Sequence, residues 1–205
     1  MNTGWAQRLG SVLRSGLICS CALAGIACSN SSAPAARFIA SDISSFMPPL
    51  AFTLTDDADA RLTAGTMRGK VILLYFGYTH CPDVCPTTLA ALARTLQRLG
   101  PQADAVRVLF VSVDPRRDTP QLLKRYAASF APQVVGLTGT DDALTALTKR
   151  YRVAYRRDEP GPDGNYAVYH SSAIFIFDPE GRARLLASPS ESPDQLAQDL
   201  KALMG

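Results

Sequence analysis

The segment Cys81-Pro82-Asp83-Val84-Cys85-Pro86 places two thiols about one helical turn apart, directly after an apolar run at 71–76, while His170 stands alone far downstream. Thiols at that spacing can close a disulfide or grip a soft metal ion. A purely structural bridge is the plainer alternative, but across so short a loop it removes little entropy from the unfolded chain. The residues therefore point to redox or metal chemistry at one site.

The donor set narrows the choice of ion. Structural zinc takes four protein ligands, and the obvious donors downstream of the first 45 residues are Cys81, Cys85, His80 and His170. His80 is adjacent to Cys81 and poorly placed to share its ion, so it reads as a supporting residue. Two thiolates and one imidazole suit a three-coordinate soft ion, and thiolate softness selects copper(I), with copper(II) also open. A lone histidine is ordinarily a surface or hydrogen-bonded residue. Beside the cysteine pair, His170 becomes the required third ligand.

These residues need elements to hold them. Residues 71–76 form a continuous apolar run, the pattern of a central strand buried on both faces. Leu89, Leu92, Ala93 and Leu96 give residues 86–99 helical spacing, with Pro86 tolerated in the first turn and Gly100 as a stop. A second buried strand is expected at 106–113, a helix at 119–130, a short strand at 134–137 and a helix at 141–151. Residues 156–165 are polar and turn-rich and read as an exposed loop. A hairpin is expected from 173–177 and 184–187, then a last helix over 193–204. That order, with the cysteines at a strand-to-helix turn, is α/β and thioredoxin-like.

In such a fold the cysteine pair meets the amino terminus of a helix. Unpaired backbone N–H groups and the positive end of the helix dipole favour a thiolate, so at least one pKa of the pair is expected below the usual value of about 8.5.

The chain has five cysteines, and the other three, Cys19, Cys21 and Cys28, lie in a segment with the shape of a bacterial secretion signal. Arg8 and Arg14 precede an uncharged small and aliphatic stretch at 17–27, and a Ser/Ala/Pro-rich stretch follows. The apolar part is short for a bilayer span. A cysteine ending such a stretch resembles a lipoprotein signal, with Cys28 as the lipidated residue and Cys21 as the second choice. A plain cleaved signal and an uncleaved anchor are the other readings. Each leaves the remainder of the chain on the oxidising side of a membrane. The expected organisation is a signal at 1–27, a flexible linker at 28–45 and one domain at 46–205. A net charge of +3, scattered at helix-like spacings with no basic stripe among aromatics, gives no expectation of a nucleic-acid partner.

Four motifs in order carry a family resemblance: 77–86, running from Gly77 through both cysteines to Pro86; 112–120, running from Ser112 to Pro120; Gly136 to Thr140; and His170-Ser171-Ser172 with Asp178-Pro179-Glu180-Gly181. From about Phe46 onward the chain resembles the SCO/SenC family. The resemblance implies a thioredoxin-like fold: a central mixed sheet flanked by helices, with an extra amino-terminal hairpin and an inserted loop before the metal histidine. It implies a membrane-tethered domain outside the cytoplasm, facing the periplasm in a bacterial envelope. It also implies copper handling for the dinuclear copper site of cytochrome c oxidase, with a copper donor protein and the oxidase copper-site subunit as partners. By position, Cys81, Cys85 and His170 correspond to the copper ligands. Tyr169 stands where many members have an acidic residue, so hydrogen bonding around the ligand histidine is expected to differ.

Two functions of different class follow. One is a metallochaperone that passes copper on by ligand exchange. The other is a thiol-disulfide reductase in which Cys81 or Cys85 attacks a client disulfide and its neighbour resolves the mixed disulfide. A peroxidase is a weaker third. His170 separates the first two, because a reductase needs no distant histidine.

Overall fold

The computed structural model describes residues 37–162 and 166–204. The expected signal, the lipidation at Cys28 and the first part of the linker lie outside the described residues. Among the described residues, no helix is long and apolar enough to cross a membrane.

The elements follow in the order β1 (Ser41–Asp42), β2 (Thr53–Asp56), β3 (Arg61–Thr63), β4 (Val71–Gly77), α1 (Val84–Leu99), β5 (Val106–Ser112), α2 (Pro120–Ala128), β6 (Val134–Thr138), α3 (Asp141–Arg150), β7 (Tyr155–Arg157), β8 (Val168–His170), β9 (Ile174–Phe177), β10 (Ala183–Ala187) and α4 (Pro193–Met204). Eight strands make one mixed sheet in the order β1-β10-β9-β4-β5-β6-β2-β3. The strands β4, β5 and β6 run parallel, and β9 and β2 flank them antiparallel. This is the expected thioredoxin-like arrangement, and the β2–β3 pair is the expected amino-terminal hairpin.

Every residue of β4 and β9 is buried, as unbroken apolar strands in the middle of a covered sheet must be. Helix α1 buries Leu89, Leu92 and Leu96 on one face and packs against α4. Helix α2 begins at Pro120 behind Thr119, whose hydroxyl accepts the Leu122 N–H at 3.3 Å. It lies close on β6 because Gly136 has no Cβ, which would sit 2.7 Å from Leu123 Cβ.

Two expectations change. The segment read as an exposed loop begins as a strand: Tyr155–Arg157 pairs antiparallel with Val168–His170, setting Tyr155 opposite His170 in a separate two-stranded sheet. Part of the expected linker is also built into the domain. Asp199, buried on α4, accepts the N–H groups of Ile39 and Ala40, and β1 then pairs with β10. A buried carboxylate meeting backbone donors and a buried Ile43 fix this segment to the sheet edge.

Candidate metal centre

Strand β4 delivers the chain to the site and α1 fixes its angle of departure. After Gly77 the chain turns, Cys81 N–H bonding to Tyr78 carbonyl at 3.3 Å, and α1 begins at Val84, two residues earlier than the sequence pattern indicated. Cys85 therefore lies in the first turn of the helix rather than ahead of it. Pro86, also in that turn, lacks an N–H that would have had no helical acceptor there. The Cys85 N–H instead finds the sulfur of Cys81, at 3.4 Å.

Gly77 makes room for this turn. A Cβ there would lie 2.6 Å from the Phe110 ring and 2.8 Å from Cys85 Sγ. Real side chains do not tolerate such contacts with two buried neighbours.

His170 arrives from β8. Its Nε2 lies 3.1 Å from Cys85 Sγ, and its Nδ1 lies 2.9 Å from the carbonyl oxygen of Ser171. A carbonyl only accepts, so Nδ1 carries the proton and the Nε2 lone pair faces the thiol. This second hydrogen bond fixes the tautomer that a metal-ligating imidazole requires. The ligand atoms of Cys81, Cys85 and His170 all lie within 4.8 Å of one another. Both thiols are free, Cys85 fully buried and Cys81 partly exposed.

Electrostatics departs from expectation at Cys85. Burial pushes its thiol up to about 12, overriding the helix terminus. Burial also lowers the pKa of His170, which keeps the imidazole neutral near pH 7. The resting site is thus a protonated buried thiol facing a neutral imidazole.

The walls are aromatic. Tyr75 and Tyr78 stand edge-on to the His170 ring, with centroids at 6.2 Å and 6.0 Å. Among the described residues the buried Tyr75 hydroxyl has no bonded partner, although Cys85 and Thr88 lie beside it. His80 is turned away from the triad, its Nδ1 3.1 Å from Thr79 Oγ1 and 3.7 Å from the buried carboxylate of Asp118. It supports the loop, as expected, rather than joining the ligand atoms. Tyr169, in the place of the acidic residue, points outward and carries Arg156 at 4.8 Å from its ring.

Roles for Tyr75, Gly77 and Asp118 were not legible in the sequence. The one usable signal was a glycine closing an otherwise unbroken apolar strand just before the cysteines. Asp118 accepts from Ser112 Oγ, Thr79 Oγ1 and the Thr79 N–H, at 2.5, 2.6 and 2.9 Å, and so clamps the residues before Cys81 to the end of β5.

A family model described as SCO1/SenC matches residues 47–205. The chain belongs to the SCO1/SenC family. The mitochondrial SCO2 homologue of Bos taurus is 36% identical over 155 residues, which is 75% of this chain and 58% of the relative. The yeast SCO2 protein of Saccharomyces cerevisiae is 40% identical over 134 residues, 64% of this chain and 44% of the relative. The chain thus spans about half the length of these SCO relatives. Among solved structures, ScoI of Bradyrhizobium japonicum, described with copper bound, has a TM-score of 0.70 at 39% identity, covering 75% of this chain and 98% of that one.

Proposed function

We propose that this protein binds one copper(I) ion through Cys81, Cys85 and His170 and passes it by ligand exchange to the dinuclear copper site of cytochrome c oxidase. The observation that carries this is the aimed Nε2 of His170, 3.1 Å from Cys85 Sγ, with Cys81 completing the set. Two soft sulfurs and one imidazole form a donor set for copper(I). A copper-bound SCO relative at 39% identity supports the choice of ion, and membership of the SCO1/SenC family supports the destination. Loading displaces the Cys85 proton, because the ligand is the thiolate. Cys81, the partly exposed ligand, is where a donor protein or the oxidase copper-site subunit exchanges its own ligand for the ion.

The same reading tethers the domain by a lipidated Cys28 to an envelope membrane, facing the periplasm, with the residues after Cys28 as spacer. Stable anchoring takes two or more acyl chains, which a lipoprotein cysteine supplies.

One observation favours a second role. Cys81 is partly exposed and Cys85 buried beside it, the arrangement of an attacking and a resolving thiol in a disulfide reductase. Oxidase activity in cells lacking the protein separates the two. The chaperone predicts recovery with added copper, and His170→Ala behaving like the deletion. Rescue by a small thiol alone, with His170→Ala fully active, overturns it in favour of the reductase.

A further inference from the structure

The turn after β5 touches both halves of the site. Asp118 clamps Thr79, two residues before Cys81, as described. Four residues earlier, Asp114 is fully buried and accepts from Arg117 Nε and from the hydroxyl of Tyr166, the latter at 2.5 Å. Arg117 lies over the Tyr166 ring, its Cζ 3.7 Å from the centroid, and its Nη1 donates to the Tyr166 carbonyl at 3.2 Å. The other neighbour of the guanidinium is the Tyr78 ring, at 5.7 Å, and Tyr78 itself stands edge-on to His170. Among the described residues Nη2 meets no acceptor, and two hydrogen bonds and two aromatic rings hold the group.

Tyr166 precedes His170 by one short stretch of chain and leads directly into β8. We propose that Arg117 is a positioning residue: through Tyr166 it sets the approach of His170 to the cysteine pair, and so governs how firmly the site retains its metal. This rests on the copper-binding reading above. The physical ground is that His170 pairs only with β7 and with no strand of the main sheet, so the hairpin that carries it depends on side-chain ties for its placement against the cysteine pair. Arg157, which donates to Val113 carbonyl at 2.9 Å and to Asp141 at 2.7 Å, ties β7. Arg117 is the corresponding tie at the entry to β8. A guanidinium can stack and donate in two directions at once, which an ammonium cannot.

The test uses Arg117→Lys, which keeps the charge beside Asp114 but loses the stacked fork, and the milder Tyr166→Phe, which removes only the hydroxyl bond to Asp114. Amide exchange in the metal-free protein is measured first. The Ser171 amide, bonded to Ala154 carbonyl across the hairpin, is expected to exchange about tenfold faster in Arg117→Lys, with amides of β4 unchanged. Copper(I) release to a chelator is expected to speed up about tenfold, while the rate of Cys81–Cys85 disulfide formation by oxidised glutathione stays within about twofold of wild type. Tyr166→Phe is expected to shift both readouts in the same direction by less. Unchanged exchange in both variants overturns the proposal, as does faster exchange with copper release unaltered, which would make the tie merely structural. Disulfide formation and β4 exchange altered in step with release also overturn it, by revealing general loosening. A wild-type protein that takes up no copper fails the functional reading, and the exchange data still decide whether Arg117 holds the hairpin.

Discussion

Cys81 and Cys85 stand where a strand of the main sheet runs straight into a helix, whereas His170 stands on a two-strand hairpin that pairs with no strand of that sheet. The cysteine side is packed: β4 is buried along its whole length, Cys85 is inaccessible, and Asp118 clamps the loop before it. The histidine side is half-exposed and polar, held by arginines, tyrosines and a few backbone bonds. In the copper-transfer function proposed above, a ligand on a separate hairpin could leave without disturbing the sheet, while the two sulfurs stay on a fixed platform.

The largest expected effect comes from removing the proposed ligand on the hairpin. His170→Ala should weaken copper(I) binding by more than the roughly 10–100-fold that losing an outer partner of a metal ligand costs, with little change in thermal stability. Competition against a copper(I) chelator, alongside thermal unfolding, measures both. Next comes a wedge on the fixed side. Gly77→Ala forces a methyl against Phe110 and Cys85 and should cost about 1–3 kcal/mol of stability, whereas Tyr169→Asp on the exposed hairpin should stay within about 0.5 kcal/mol. Equal losses in denaturant unfolding would erase the distinction between the two regions.

The fixed side was also the side the sequence revealed. An unbroken apolar run marks β4, an apolar stretch interrupted by Arg107 marks β5, Pro86 and Gly100 bracket α1, and the cysteine spacing advertises itself. The sequence marks 156–165 as a loop and assigns no element to 168–170, because Tyr155-Arg156-Arg157 and Val168-Tyr169-His170 are too short and too polar to show alternation, and each becomes a strand only by pairing with the other. The expected linker at 28–45 overlaps the folded domain for a related reason: the partner that captures Ile39 and Ala40 is Asp199, 160 residues away from Ile39, and such long-range pairing leaves no local signature. The depressed thiol expected at the helix terminus fails at Cys85 because burial outweighs the dipole there, and burial is a tertiary property.

Two smaller effects concern pH. Copper(I) uptake must displace the Cys85 proton, which burial holds up to about 12. Apparent affinity should therefore rise as pH rises, about tenfold per unit for each proton displaced; a flat profile between about pH 6 and 8 would mean that Cys85 is not a ligand. The histidine side responds in the metal-free protein. The folded pKa of His170 lies below the ordinary 6.5, so as pH falls the unfolded chain takes the proton first. Stability is full above about 6.5 and declines as pH drops toward the folded value. Denaturant unfolding from neutral to mildly acid pH should show this slope, and His170→Gln should remove it.

The central claim is that the platform and the hairpin meet on one ion. X-ray absorption at the copper edge of the copper(I)-loaded protein reads the ligand atoms directly. The account predicts a three-coordinate ion with two sulfurs and one imidazole nitrogen, and two sulfurs alone in His170→Ala. A first shell of sulfur only in the wild-type protein, unchanged by His170→Ala, would contradict it.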